Sequence, residues 1–221
     1  MNGTEVIVFD MDGVLVDVAD SYRETIARTV EFFTGERATP EQIQDYKNHG
    51  GWNNDWLLSQ RIAADRGVKV DVREVAAKFD GFFLGEGLIH RERWIAAPGL
   101  MERLSARYEL DIFTGRPRRE AEITLEREGW LGRFFLISLD DVRSEKPSPD
   151  GLLKIRAAKP GKNMLYLGDT VDDARAGVAA GVPFVGIASP GSVRREEAEK
   201  RLREEGAVAV LGSINELEAL L

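Results

Sequence analysis

Hydrophobic positions change rhythm along the chain. Val6, Ile7, Val8 and Phe9 form an unbroken apolar run that stops at Asp10, and such a β-branched and aromatic run predicts a buried strand ending in a turn. The period then lengthens. Tyr22, Ile26, Val30 and Phe33 recur at helical spacing, with Asp20 or Ser21 as N-cap and Gly35 as the stop, which predicts a helix over 21–34. Helical patterning continues over 40–46, 55–65 and 72–84, with no convincing strand among them, until Ala97-Pro98-Gly99-Leu100 breaks it. Beyond the break strands and helices alternate. Strands are expected over 109–113, 134–138, 163–167, 183–187 and 207–211, and helices over 100–107, 118–128, 149–158, 171–180, 193–205 and 214–221. This alternation predicts an α/β fold, a parallel sheet with crossover helices on both faces. The helical block reads as an insertion after the first strand. The expected domains are a core of residues 1–16 and 97–221 and a helical cap of residues 17–96, linked through 16–19 and 95–99.

Composition narrows the function classes. A chain of 221 residues with 43% hydrophobic content can bury a sizeable core. Its formal charge of −8 disfavours nucleic acid as a partner, since phosphate backbones reward basic surfaces. The absence of cysteine excludes disulfides, thiolate catalysis and cysteine-based zinc sites. No apolar run approaches the roughly 20 residues of a membrane span. The first strand starts within a few residues of Met1 and leaves no room for a signal peptide, so a soluble, cytoplasmic protein is expected, as monomer or homodimer. The mixed-charge run 194–205 reads as a solvated helix face held by i,i+4 pairs.

Chemistry concentrates at four strand ends. Asp10-Met11-Asp12-Gly13 closes the first strand, where open α/β sheets place ligands. Asp10 suits a nucleophile and Asp12 its acid/base partner, with a metal beside them. An EF-hand calcium loop is excluded, because the further ligands that loop requires are missing. Thr114-Gly115-Arg116-Pro117 offers a hydroxyl, free N–H groups and a planar fork of donors for a phosphate oxygen, although Pro117 can direct Arg116 elsewhere. Lys146, before Pro147, is a point charge suited to screening a phosphate from carboxylates. Gly168-Asp169-Thr170-Val171-Asp172-Asp173 places three acids in five positions, more than capping uses, and their repulsion calls for a cation. Oxygen ligands, with only His49 and His90 as other candidates, favour magnesium over zinc.

Taken in order, Asp10-x-Asp12-Gly13, Thr114-Gly115-Arg116, Lys146-Pro147 and Gly168-Asp169-x-x-Asp172-Asp173 resemble the four motifs of the haloacid dehalogenase-like superfamily of phosphohydrolases, across nearly the whole chain. The resemblance implies a Rossmann-like core with a helical cap inserted between the first two motifs, and a magnesium-dependent phosphatase acting on a small phosphorylated metabolite. It implies an aspartyl-phosphate on Asp10, with Asp12 as general acid and then base. Magnesium would be held by Asp10, the Asp12 carbonyl and Asp169, with Asp173 orienting a metal water or the lysine. Thr114, the Gly115 N–H and Lys146 would stabilise the transferring group. Asp172 stands where the family often has asparagine. In the cap, the stretch 46–56 is rich in amides and glycines and reads as a specificity loop. Lys47, Asn48, His49, Asn53 and Asn54 are its candidate substrate-binding residues, while Trp52 and Trp56 belong either to that site or to the cap core. The stretch also looks like a subfamily associated with histidine-biosynthesis names, so histidinol phosphate joins phosphoglycolate and sugar phosphates as candidate substrates. A sugar phosphomutase, a phosphonate hydrolase using Lys47 as a Schiff base, and a non-catalytic phosphate- or metal-binding module stay open as alternatives. Dinucleotide, Walker A, G-x-S-x-G and H-E-x-x-H motifs are absent.

Overall fold

The computed structural model describes residues 3–221, so the first two residues of the expected core segment lie outside the described residues. Strand β1 (Val6–Phe9) is followed by β2 (Val16–Asp17) and then by helices α1 (Tyr22–Thr34), α2 (Pro40–His49), α3 (Asp55–Asp65) and α4 (Val72–Asp80). Strand β3 (Arg93–Trp94) returns the chain to α5 (Leu100–Ser105), β4 (Glu109–Phe113), α6 (Arg118–Arg127) and β5 (Phe135–Ile137). Helix α7 (Asp150–Ala158), β6 (Met164–Gly168), α8 (Val171–Ala180), β7 (Phe184–Ile187), α9 (Arg195–Glu204) and β8 (Ala209–Leu211) complete the alternation.

The main sheet runs β5-β4-β1-β6-β7-β8, with every neighbouring pair parallel. It is the α/β, Rossmann-like fold that the alternation and the resemblance imply. Strand β1 lies at its centre and all four of its residues are fully buried. The pleat alternates their side chains: Ile7 and Phe9 join one apolar cluster with α5 and α6, while Val6 and Val8 join a second with α7 and α8. A strand covered on both faces therefore reads as a continuous apolar run rather than an alternating one. The first cluster also contains Ile26 and Val30 of α1, Leu58 and Ile62 of α3 and Phe79 of α4, so the inserted helices pack into the same apolar mass.

Register sets the location of the site. Phe9 lies opposite Ile112 on β4 and Leu167 on β6, so Asp10, Thr114 and Asp169 emerge close together at one sheet edge. The chain leaves β1 toward β4 and β5, then returns on the other side through β6. That reversal opens a crevice at the carboxyl ends of the strands.

Several local expectations differ from the structure. The segments flanking the helical block are not plain linkers: β2 and β3 pair antiparallel, Val16 with Trp94 and Asp17 with Arg93. Two-residue strands are too short to carry a period, so the pattern hid them. The helix expected over 72–84 ends at Asp80 and continues as a π-turn, Gly81–Gly85, closed by Glu86 N–H donating to the Gly81 carbonyl at 2.9 Å. The closing helix is a 3₁₀ segment, Ile214–Ala219. Ser21 occupies the N-cap position of α1, but its hydroxyl makes no capping bond.

Candidate active site

The tight turn after β1 depends on Gly13. Its φ is +71°, and a Cβ there would lie 2.1 Å from Asp169 Oδ2, so the turn at the end of β1 and the acid at the end of β6 come together only with glycine in this place. Asp10, Asp169 and Asp173 each present a carboxylate oxygen, and these oxygens lie within 4.8 Å of one another. Between Asp10 and Asp173 sits Lys146, donating from Nζ to Asp10 Oδ1 at 2.8 Å and to Asp173 Oδ1 at 2.7 Å. All three of these side chains are buried.

The electrostatics follow from that burial. Loss of solvent pushes Asp10 well above the usual carboxylate range; Lys146 pulls it back, while Asp173, Asp12 and Asp169 add to the rise. Burial would lower Lys146, but Asp10 and Asp173 outweigh it and hold the ammonium charged, above the ordinary lysine value. Asp173 would also be raised by burial. It is held below its ordinary value by Lys146, Thr170 and Tyr166, and its oxygens accept from Lys146, the Tyr166 hydroxyl and the Thr170 N–H and hydroxyl. Asp169 has no such company. Burial, with repulsion from Asp173, raises it to about 7, and its Oδ1 is enclosed without a hydrogen-bond partner. An orphaned buried carboxylate oxygen facing a second carboxylate, in a donor set made only of oxygens, fits a hard divalent cation.

Asp12 lines the same cleft but is held by an arginine rather than by the acid cluster. Its Oδ1 accepts from Arg116 Nε at 2.7 Å and also from Nη2. Arg116 is itself buried, bonded to Thr124 through Nη1 at 2.9 Å and paired with Glu92 at 2.9 Å, with Tyr22 stacked against it at 4.8 Å. The expectation that Arg116 would offer its fork to a phosphate is therefore corrected: the guanidinium is engaged in holding Asp12. The sequence could not show this, since Glu92 lies in a different segment.

The cleft between the sheet edge and the inserted helices is lined by both. Lys47, Asn53 and Asn54 face it, together with Asp10, Gly115 and Asp169. Asn53 leaves its amide Nδ2 buried and unpartnered, and that nitrogen would stand 2.3 Å from a Cβ on Gly115, which explains the glycine. Asn54 caps α3 through the Trp56 and Leu57 N–H groups and donates to Glu145 at 3.1 Å. Lys47 pairs with Asp55 at 2.6 Å. Two expected substrate residues do not face the cleft. Asn48 is turned inward, accepting from Gln44 at 2.8 Å, and His49 is exposed with its ring against the Asp45 carbonyl, because both lie on faces of α2 directed elsewhere. Thr114 is buried behind the cleft lining, its hydroxyl accepting from the Arg116 N–H at 3.2 Å. Asp172 is neither solvated nor part of the acid cluster: its carboxylate accepts the Gly51 N–H at 2.7 and 2.9 Å, docking the α2–α3 loop on the core. Trp56 lines the cleft, while Trp52 packs edge-on against Tyr46.

Sequence reasoning missed Arg23, Tyr22, Phe79 and Glu120, which also line the cleft. Tyr22 read only as an apolar helix position, and Phe79 lay unremarked in the helix expected over 72–84. Glu120 and Arg23 were not singled out, since each lies in a span read only as helix.

Comparison with known proteins agrees with this geometry. Residues 4–181 match the family model described as haloacid dehalogenase-like hydrolase. An imidazoleglycerol-phosphate dehydratase from Phytophthora nicotianae is 32% identical over 227 aligned positions that take in 94% of this chain, which spans only half the length of that relative. A phosphoglycolate phosphatase from Photobacterium profundum is 29% identical, with 84% of this chain and 83% of the relative covered. Among solved structures, a haloacid dehalogenase-like protein of unknown function from Agrobacterium tumefaciens shares the fold with a TM-score of 0.77 at 20% identity, covering 99% of this chain and 97% of its own. With the motifs, the sheet and the acid cluster in agreement across most of its length, the chain belongs to the haloacid dehalogenase-like hydrolases.

Proposed function

We propose that this hydrolase is a magnesium-dependent phosphatase of a small phosphomonoester, working through an aspartyl-phosphate on Asp10. The observation that carries the reading is the Lys146 bridge between Asp10 and Asp173 beside the unpartnered oxygen of Asp169. Lys146 opposes the rise that burial imposes on the Asp10 carboxyl, and it supplies positive charge where the transferring group develops negative charge. Asp10, Asp169 and the Asp12 carbonyl would hold the cation, with Asp173 orienting it from behind through the lysine. The bound cation would neutralise phosphoryl oxygens.

Asp10 attacks phosphorus in line, the P–O bond to the alcohol breaks, and Asp12 delivers a proton to the departing oxygen. Asp12 then takes a proton from the water that opens the acyl phosphate, which frees phosphate and restores both carboxyl groups. Arg116, anchored by Glu92 and Thr124, orients Asp12 through that cycle. Residues 17–96 act as a cap whose α2–α3 loop closes the cleft and excludes water, with Lys47, Asn53 and Asn54 reaching toward the substrate. Relatives named phosphoglycolate phosphatase support the reaction class.

The test is phosphate release from a panel of small phosphomonoesters with magnesium. Asp10→Asn is expected to lower kcat on the order of a thousandfold or more, as loss of a covalent nucleophile does. Chelation is expected to stop turnover reversibly, and an acid-stable count of one phosphoryl group trapped on the native chain, absent from Asp10→Asn, checks the intermediate. Full turnover by Asp10→Asn refutes the reading.

A further inference from the structure

The cleft carries charges of both signs. Arg23 and Lys47 both pull down the Asp169 carboxyl, and Lys47 is itself paired with Asp55. Arg23 is half-buried on the cleft wall, and its guanidinium has no ion pair or hydrogen bond among the described residues. The same cleft holds a buried acid. Glu120 is only 4% exposed yet lines the cleft, and one of its oxygens accepts from the Tyr22 hydroxyl. No hydrogen bond among the described residues reaches the other oxygen. The cation nearest to it, Arg116, is already held by Asp12, Glu92 and Thr124. Asp80 and Asp12 add further negative fields there, and Asp80 Oδ1 is enclosed without a hydrogen-bond partner among the described residues.

Aromatic rings complete the surroundings of this acid. Tyr22, Trp56 and Phe79 line the cleft beside Glu120, with the Tyr22 and Phe79 rings 6.0 Å apart. A carboxylate placed here would meet the acids Glu120, Asp80 and Asp12 in a site of low polarity. A neutral alkyl group would leave a buried carboxylate oxygen unmatched, which costs as much as any lost charged hydrogen bond. A protonated amine meets a carboxylate acceptor and aromatic faces together, the arrangement that binds organic ammonium groups.

We propose that the substrate is a phosphomonoester whose alcohol carries a protonated amine, and that Glu120 reads that amine while Arg23 faces the phosphoryl end. The inference rests on the phosphatase reading and names its substrate class. It separates this chain from relatives named for phosphoglycolate, whose free end is a carboxylate. Burial raises Glu120 to about 7, and a bound cation would return it to the ionised state.

Binding is measured first, on Asp10→Asn protein with magnesium, by titration calorimetry with aminoalkyl, alkyl and carboxyalkyl phosphates of matched chain length from two to four carbons. The aminoalkyl ester is expected to bind about ten- to a hundredfold more tightly than the alkyl ester. Adding Glu120→Gln is expected to shrink that preference to within about threefold, and Glu120→Lys to turn it toward the carboxyalkyl ester. Equal binding of amino and alkyl esters, preference for the carboxylate, or a preference that survives Glu120→Gln overturns the inference. Phosphate release by the native enzyme is scored separately. Failure to release phosphate from any ester refutes the phosphatase reading, while the binding preference alone decides the role of Glu120.

Discussion

Glu120 illustrates how one buried acid couples specificity to stability. Its carboxyl is raised to about 7 by burial, from an ordinary value near 4.5, with the Tyr22 hydroxyl and Arg116 only partly offsetting the rise. The folded state therefore holds a proton that the unfolded state has lost between those two values. Stability contributed at this position falls as pH rises through that window and is fully lost above about pH 7, an effect of about 3 kcal/mol. Glu120→Gln keeps the shape and an acceptor for Tyr22 but cannot ionise. Relative to the native protein it is expected to gain most of that amount, about 2.5 kcal/mol, between pH 5 and pH 8, measured by urea unfolding at the two pH values. An identical stability difference at both pH values would show that Glu120 ionises normally in the folded protein. Nothing at positions 119–121 of the sequence announces this residue, because an acid in the first turn of a helix is favoured by the helix dipole in any case. Asp10 and Asp169 were legible for the opposite reason: an acid straight after a continuous apolar strand has no such ordinary role.

Elements explain how residues far apart in sequence meet, and where pattern reading stops. The helices of the inserted block were readable because Ile26, Val30, Leu58 and Ile62 repeat on one face and enter the common apolar cluster. The β2–β3 ribbon and the π-turn after α4 were not, since each is settled by pairing and packing rather than by period. The same holds for the contact that closes the loop between α2 and α3. Asp172 stands in the first turn of α8, is 2% exposed, and accepts the Gly51 N–H with both oxygens. Burial raises its carboxyl and the Gly51 N–H lowers it, so the bond is what keeps the charge tolerable. Asn54 donating to Glu145 makes a second tie from the same loop to the segment that carries Lys146. Asp172→Ala removes the first tie without touching Asp10, Lys146 or Asp169. A charged hydrogen bond of about 1.5–3 kcal/mol lost from the closed form corresponds to at least about a tenfold rise in KM. The turnover number is expected to fall less than KM rises, and amide exchange at 49–53 is expected to quicken. Unchanged KM with unchanged exchange would mean that closure does not depend on Asp172.

At the scale of the whole molecule, the parallel order β5-β4-β1-β6-β7-β8 makes one edge responsible for everything chemical. Strand and helix alternation revealed that sheet, and the four polar strand ends revealed the edge. The partnership of Arg116 with Asp12 and Glu92 stayed hidden because it joins segments that only the finished fold brings together. The same edge carries an electrostatic burden: Asp10, Asp169 and Asp173 crowd within 4.8 Å, and Lys146 balances only two of them. A divalent cation that binds the folded chain and not the unfolded one therefore stabilises the entire protein by mass action. At a hundred times its dissociation constant the gain is about 2.7 kcal/mol, which for a chain of this size raises Tm by about 5–10 °C. Magnesium is expected to produce that shift in the native protein and calcium a different one, because the smaller ion demands a tighter oxygen shell. Asp169→Asn removes a buried acid that has no hydrogen bond or ion pair among the described residues, so it is expected to raise the metal-free Tm while abolishing the magnesium shift. A native Tm indifferent to magnesium, or an undiminished shift in Asp169→Asn, would place the cation somewhere other than this edge.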